Sequence, residues 1–339
     1  MLAAVLGGEV DRIPATPIIC SASRQVSEIS YAQWATDPDL ATQSLLQAQE
    51  LIGFDAFITL FDLSVEAADF GQKIIYPPEN TPYPDYSNIF FNDIKDYHKL
   101  ESFSWKRARR MKNIIKIIEN LVALKGNEIP TVGFLWGPLG VVGMLRRPNN
   151  LLTDMVRSPQ EVHRALKIVT EVLCEYAVAQ CRAGAILVCL DTLYASQSMI
   201  SKNMWEEFEG PYIIKVADAV RKEGSIVLLH NCGDRPYFDV QIKWINPVAI
   251  NFADLPDDCA DDRELKQKYG NKIILIGNID TSILNLGTPE EVKAACESKV
   301  KSLGGGGRFV LSPGCEFPPN GPLSNAQAMM DVAKNFARK

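Results

Sequence analysis

The sequence predicts one (β/α)8 barrel, a TIM barrel, as a single domain over residues 1–339, and three observations lead to this fold class. Short, β-rich apolar segments alternate with longer segments of helical pattern along the whole chain. Most of the short segments are apolar at every position, as expected for parallel strands that are covered on both faces. No linker of domain length interrupts the alternation. A doubly wound open sheet is the alternative architecture for the same order of elements.

Eight short segments are the candidates for the barrel strands. They are rich in β-branched and aromatic residues, and longer segments with helical periodicity separate them. In such a barrel the functional residues lie at the carboxyl ends of the strands. The candidate strands are residues 16–20, 56–61, 131–136, 185–190, 226–230, 248–252, 273–277 and 309–311.

Capping signals mark where several of the intervening helices begin. Ser158 and Thr288 each precede a proline, and Glu161 and Glu291 follow at the spacing of a capping box. Both pairs therefore predict a capped helix start. Further helical patterns run over residues 36–51, 201–220 and 325–336.

Residues 73–103 depart from the alternation of strands and helices. The segment is rich in proline, tyrosine and asparagine, and we interpret it as a long excursion on the barrel rim that forms a lid or a partner surface. A basic run follows at residues 106–112. It lies in a helical pattern, so we expect a solvated helix face there rather than a binding patch.

Composition excludes several classes of function. The net charge is −6, and no basic stripe with interleaved aromatic residues is present, so nucleic acid is not an expected partner. No apolar segment approaches the roughly 18 residues that a membrane-spanning helix needs. The eight cysteines are scattered and no leader peptide precedes them, which favours a reducing cytoplasm.

The strongest functional signal comes from His230, Cys232 and Cys315. His230 ends one apolar strand segment, and Cys315 follows another in a Pro-Gly-Cys turn. One imidazole and two thiolates form a soft ligand set that suits zinc, and three protein ligands leave a position open, as in catalytic zinc sites. The alternative is that these residues are isolated and buried, because a free cysteine usually behaves as a small apolar side chain.

Polar residues also follow other predicted strands. Asp191 and Asn278 are expected to line a substrate cavity, and Asp62 is a further catalytic candidate. Asp254 follows the sixth strand, where its carboxylate could approach the zinc. Asp280 also lies at a strand end, but there a helix cap is the simpler explanation.

Several motifs resemble the uroporphyrinogen decarboxylase superfamily, and within it the zinc-dependent corrinoid methyltransferases of the methylcobamide:coenzyme M type. The most specific are His-Asn-Cys-Gly at 230–233, Gly-Asn-Ile-Asp at 277–280 and Leu-Ser-Pro-Gly-Cys-Glu at 311–316. Asp-Arg-Ile-Pro at 11–14 and residues 61–67 extend the resemblance over nearly the whole chain. The arginine-rich substrate motif of the decarboxylases is missing, since residues 20–25 keep a single arginine.

This resemblance implies a barrel that holds zinc through His230, Cys232 and Cys315. Members of the branch can add a carboxylate ligand, for which Asp254 is the nearest candidate. The implied activity is methyl transfer to or from a corrinoid (cobalamin) that a partner protein carries. The small-molecule substrate is a methyl donor or acceptor: a thiol, a folate, or a methoxylated or N-methylated compound.

Two other functions stay open at this point. The chain could be a decarboxylase of the uroporphyrinogen type, although a tetrapyrrole carboxylate would need several cationic side chains in the cleft. It could also be non-catalytic, either a barrel that uses zinc only for stability or a corrinoid-binding subunit. A structural zinc site favours four protein ligands, whereas the sequence offers three convincing ones.

Overall fold

The computed structural model describes residues 2–5, 8 and 10–336. Within these residues, the strands are β1 (Phe57–Ile58), β2 (Ile74–Ile75), β3 (Tyr83–Pro84), β4 (Thr131–Trp136), β5 (Leu187–Asp191), β6 (Ile226–Asn231), β7 (Ala249–Phe252), β8 (Ile274–Ile279) and β9 (Phe309–Pro313). In this part of the chain, seven of them form one parallel sheet in the order β1-β4-β5-β6-β7-β8-β9. Neighbours in the sheet are consecutive in the chain apart from the β2–β3 hairpin, which is the strand order of a barrel.

Helices surround the sheet and connect its strands. In the described residues they are α1 (Leu2–Val5), α2 (Tyr31–Thr36), α3 (Pro38–Ile52), α4 (Val65–Asp69), α5 (Arg110–Lys125), α6 (Pro138–Arg146), α7 (Pro148–Arg157), α8 (Pro159–Arg182), α9 (Lys202–Phe208), α10 (Gly210–Lys222), α11 (Phe238–Ile245), α12 (Asp262–Tyr269), α13 (Thr281–Leu286), α14 (Pro289–Leu303) and α15 (Leu323–Asn335). Measured against the length and apolar character that crossing a bilayer requires, none of the helices in the described ranges qualifies.

The first predicted strand, at 16–20, is not formed. Among the described residues of this region, Ala15 alone makes a parallel bridge, to Leu311 of β9, and its carbonyl also accepts a hydrogen bond from the Asp55 backbone N–H ahead of β1. Pro17 cannot donate to a ladder, and Ile18 has a left-handed backbone with φ of 48°. The short segment from Pro14 to Thr16 therefore joins the two edges of the seven-stranded sheet where a strand was expected.

One of the two predicted capping boxes is present at the start of its helix, and the other is not. Thr288 and Glu291 form the predicted capping box at α14. The box predicted for Ser158 and Glu161 is wrong, because the Ser158 side chain makes no capping bond. Its backbone N–H donates to Asp154 at the end of α7, so Ser158 lies in a tight junction between two helices. The pattern over residues 201–220 divides into α9 and α10.

The excursion at 73–103 contains its own ordered structure. β2 and β3 form a short antiparallel hairpin, and a 3-10 turn covers Ile94–Lys99. Phe91 and Tyr97 are fully buried and stack with 4.6 Å between ring centroids, which anchors the segment to the barrel.

The expectation of a uniformly solvated basic run at 106–112 is wrong at one position. Arg110, the first residue of α5, is buried and pairs with Asp62 at 2.5 Å. A buried guanidinium needs a carboxylate partner because desolvation without one is costly.

Candidate metal centre

A row of polar side chains crosses the barrel near the ends of three neighbouring strands. The strand register sets Asp191 of β5 beside His230 of β6, and His230 beside Asn251 of β7. All three residues are buried. Buried polar groups need partners, and apolar residues would fill these positions at lower cost. The row therefore indicates a candidate functional site at this part of the strand ends.

Asn251 determines how the His230 ring presents its nitrogens. The Asn251 amide nitrogen donates to the carbonyl oxygens of Ile276 and Pro313, at 3.1 and 3.0 Å. Its amide oxygen Oδ1 therefore faces Nδ1 of His230, at 2.6 Å, and accepts the Nδ1–H hydrogen bond. When His230 loses its second proton, the lone pair of Nε2 is therefore the one that can bind a metal, as in histidine ligands held by a neighbouring acceptor.

Two thiols complete the cluster. One ligand atom from each of His230, Cys232 and Cys315 lies within 4.8 Å of the other two. Nε2 of His230 is 3.8 Å from Sγ of Cys315. The set of one unprotonated imidazole nitrogen and two sulfurs has the chemistry that zinc prefers, so the residues present fit that metal.

Two glycines allow the ligand-bearing loops to approach their neighbours. A Cβ on Gly314 would lie 2.5 Å from the Cα of Ala253, and one on Gly233 would lie 2.3 Å from Oγ of Ser196. The Asn231 side chain donates to the carbonyls of Thr192 and Ala195 and fixes the β6 end against the loop after β5. The position of Cys232 and Cys315 therefore depends on close backbone contacts.

The three candidate ligands shift one another's ionisation. The hydrogen bond from Cys232 lowers the pKa of Cys315, and His230 lowers it further. The same contact with Cys315, together with burial, raises the pKa of Cys232. Burial lowers the pKa of His230, but Cys315 and Asp191 outweigh burial and raise it to about 9. Without metal, a Cys315 thiolate beside a His230 imidazolium is the favoured state.

Asp191 and Asn278, the two predicted cavity residues, lie on either side of this cluster. Asp191 is buried, which raises its pKa to about 6, and its Oδ1 accepts the Leu193 backbone N–H. Asn278 donates to the Ala253 carbonyl at 3.3 Å, and its own Oδ1 is buried without a hydrogen-bond partner among the residues described. Ala253 packs against the Cys315 loop, so both predicted residues border the cluster.

Asp62 and Asp254, the other predicted site residues, are held elsewhere. Asp62 pairs with Arg110, and its second oxygen accepts from the Ser64 backbone N–H and hydroxyl. The carboxylate oxygens of Asp254 accept the backbone N–H groups of Arg235 and Leu255. A fourth-ligand role for Asp254 stays a prediction that would require those bonds to be released.

The structure adds two residues that the sequence did not single out. Asn251 was missed, although a lone asparagine in the apolar segment Ala-Ile-Asn-Phe of β7 was an available signal. Glu316, next to Cys315, was part of the motif at 311–316, but no role was predicted for it. Its Oε1 accepts the Ser21 backbone N–H and hydroxyl, and burial raises its pKa to about 8.

The barrel interior below His230 is nearly filled. A cavity of about 30 Å³ lies there, lined by His230, Asn251 and apolar strand residues. That volume suffices for about two water molecules and not for an organic substrate. Substrates must therefore reach the cluster from the carboxyl ends of the strands.

The chain belongs to the uroporphyrinogen decarboxylase (URO-D) family, whose family model matches residues 1–336. It is similar to the methylcobamide:CoM methyltransferase MtbA of Methanosarcina acetivorans, with 28% identity over 334 residues that cover 96% of this chain and 94% of the relative. It is also similar to the uroporphyrinogen decarboxylase of Coxiella burnetii, with 23% identity over 361 residues that cover 99% of this chain and 94% of the relative. Both branches of the family are therefore among its relatives.

A solved structure confirms the predicted barrel class. A methyltransferase from Methanosarcina mazei superposes with a TM-score of 0.83 at 22% identity, covering 98% of this chain and 96% of that chain. At this identity the likeness defines the fold alone.

Proposed function

We propose that the protein is a zinc-dependent methyltransferase that moves a methyl group between a corrinoid protein and a small thiol. The observation that carries this proposal is the cluster of one imidazole and two thiols with ligand atoms all within 4.8 Å, in which Asn251 holds Nδ1 of His230 and leaves Nε2 for a metal. The similarity to a methylcobamide:CoM methyltransferase supports the same reaction class. It also favours a thiol of the coenzyme M kind over the folate, methoxylated and N-methylated alternatives.

His230, Cys232 and Cys315 would hold the zinc. Zinc bound there lowers the pKa of a thiol substrate, so that the nucleophilic thiolate form is available near neutral pH. Three protein ligands leave room for such a substrate, which favours catalysis over a purely structural site.

The chain's own residues would bind and orient the substrate. Asn251 keeps His230 in the tautomer that leaves Nε2 free, and Asn278 offers a buried amide oxygen beside the cluster. We assign substrate positioning to Asp191 and Asn278. In the transfer, a carbon–sulfur bond forms while the carbon–cobalt bond breaks, and the electron pair of the broken bond stays on cobalt.

The decisive experiment combines metal analysis with a methyl-transfer assay. The purified protein should contain stoichiometric zinc and should demethylate methylcobalamin when coenzyme M is added, with methyl-coenzyme M as product. Cys232→Ser and Cys315→Ser should each lose most of the zinc and the activity while the barrel stays folded. Cys174→Ser, which changes a half-buried thiol outside the cluster, is the matched control.

Three outcomes would contradict parts of this proposal. Stoichiometric zinc in the Cys232→Ser/Cys315→Ser double variant would remove the ligand assignment. Loss of zinc in Asp191→Asn would mean that Asp191 supports the zinc ligands and does not position the substrate. Decarboxylation of a porphyrinogen, without transfer to or from any corrinoid, would replace the reaction class.

Two further assignments accompany the proposal. We infer that residues 1–339 act as one domain, because the family model spans residues 1–336. We also infer a reducing cytoplasm as the location, which the eight free cysteines support.

A further inference from the structure

A group of unpaired cations stands beside the barrel mouth. Lys106, Arg107, Arg109 and Lys112 are exposed, and in the described part of the chain their side chains form no hydrogen bond or ion pair. We refer to these four residues as the basic rim. The chain as a whole has a net charge of −6, so the basic rim is a local reversal of its charge.

The basic rim lies on the same face of the barrel as the candidate metal centre. It surrounds the start of α5, and a helix that returns to the next strand begins at the carboxyl ends of the strands. Arg110 within the same segment pairs with Asp62, which follows β1. Contacts connect this side of the barrel to the metal centre, because the Cys20 thiol donates to the Ile58 carbonyl of β1 and the next residue, Ser21, donates its backbone N–H to Glu316, the neighbour of Cys315.

A cleft of about 460 Å³ opens directly beside the basic rim. Its lining includes Arg109, Arg110, Tyr76, Gln72 and Asn113. Arg110 is 5% exposed, and its buried Nε has no hydrogen-bond partner among the described residues. The Asp69 carboxylate also lines the cleft, but it accepts the backbone N–H groups of residues 109–111 and serves as a helix cap.

We propose that the basic rim and this cleft form the docking surface for an acidic face of the corrinoid-carrying protein. The inference rests on the proposed function, because a corrinoid carried by a protein must be brought to the mouth where the metal centre lies. Unpaired exposed cations attract an acidic surface over about 10 Å at moderate ionic strength and accelerate its association. Arg109 and Tyr76 both line the cleft, where they would face a carboxylate side chain of that acidic surface.

The experiment compares two methyl donors with one pair of variants. The donors are free methylcobalamin, which has no protein surface, and a methylated corrinoid protein that the wild-type enzyme demethylates. The test variant is Lys106→Glu/Arg109→Glu, whose new carboxylates lie near the start of α5 and so do not oppose the helix dipole. The control variant is Lys222→Glu/Lys272→Glu, which makes the same charge change at the opposite end of the barrel.

If the basic rim binds the corrinoid protein, the charge reversal should change the kinetics with that donor only. The test variant should raise KM for the corrinoid protein by roughly tenfold or more and should leave zinc content and the rate with free methylcobalamin unchanged. Added salt should raise the wild-type KM for the corrinoid protein and should affect the test variant much less. The control variant should match the wild type with both donors.

Three results would overturn the docking proposal. They are equal KM values in wild type and test variant, an equal loss with both donors, and an equal effect in the control variant. Each of these leaves transfer from free methylcobalamin by the wild type intact. A wild type that transfers no methyl group from either donor would instead end the proposed function itself.

Discussion

Two buried polar clusters at the barrel mouth differ in how far their atoms are satisfied. Around Asp62 and Arg110, both carboxylate oxygens have donors, and the guanidinium contacts Asp62, the Tyr76 hydroxyl and the Ala35 carbonyl. Around His230, the Asn278 amide oxygen has no hydrogen-bond partner among the described residues, and Nε2 of His230 contacts only the Cys315 sulfur, at 3.8 Å.

The difference separates a structural cluster from a candidate site. The Asp62–Arg110 pair balances its two charges within the protein, and only Nε of Arg110 lacks a hydrogen-bond partner among the described residues. Such a charge-balanced buried pair needs no ligand from outside. Buried donors and acceptors without partners destabilise the fold, and such groups are retained where a ligand satisfies them. We therefore expect damage to the first cluster to reduce stability and damage to the second to reduce metal binding.

The largest expected effect comes from breaking the Asp62–Arg110 pair. Asp62→Asn should lower the free energy of unfolding by about 3–5 kcal/mol, because it leaves the Arg110 guanidinium buried without its counter-charge. Urea denaturation of the zinc-loaded protein measures this change. Asp39→Asn is the matched control, since it removes an exposed ion pair to Lys116 at 2.7 Å, which solvent screens, and should leave the free energy of unfolding nearly unchanged.

The same variant tests the catalytic role predicted for Asp62. If Asp62→Asn abolished methyl transfer while stability stayed within about 1 kcal/mol of the wild type, the catalytic prediction would be right and the structural assignment wrong. If zinc content fell in proportion to stability, the two clusters would not be independent.

Acidity should weaken zinc binding steeply. In the metal-free protein at pH 6–8, His230 is protonated because Cys315 and Asp191 raise its pKa to about 9 against burial, and Cys232 is protonated because its pKa is raised. Both must lose a proton to bind zinc, whereas Cys315 is already ionised. Each proton that zinc binding releases changes the affinity about tenfold per pH unit. With two protons released, lowering the pH by one unit in this range should reduce zinc affinity by about 100-fold.

Competition with a chelator of known proton affinity measures that pH dependence. A slope near two in a plot of log affinity against pH is expected. A slope near one would mean that one of the two groups is already unprotonated in the metal-free protein, and the ionisation of the cluster would need to be reassigned.

The candidate ligands could be found from the sequence because each depends on local information. Apolar segments predict the strands, and His230, Cys232 and Cys315 are uncommon ligand types directly after two of them. Parallel strands bring their carboxyl ends to one side, so position in the chain was sufficient to predict proximity.

The remaining features depend on distant partners or on backbone detail. Arg110 looks solvated within a basic run, and its partner Asp62 is 48 residues away. Asn251 is one polar residue in an apolar strand, and its hydrogen bonds to Ile276 and Pro313 follow from the strand register. The missing first strand results from the left-handed backbone at Ile18, which an isoleucine rarely adopts and the sequence did not suggest.

The smallest of the three effects concerns Asn251, which connects the sheet to the metal centre. Asn251→Leu removes the acceptor for the Nδ1–H of His230, so zinc affinity should fall roughly 10–100-fold, the usual effect of losing such a partner. Asn251→Asp keeps an acceptor at that position while losing the donors to the Ile276 and Pro313 carbonyls. The zinc affinity of Asn251→Asp should therefore stay closer to the wild type than that of Asn251→Leu, although both variants lose the same two hydrogen bonds to the sheet.

Chelator competition at one pH compares the zinc affinities of the two variants, and urea denaturation measures how far the loss of the two hydrogen bonds destabilises each of them. Equal losses of zinc affinity in both would show that Asn251 acts through the sheet alone, and the tautomer of His230 would then need another source of control.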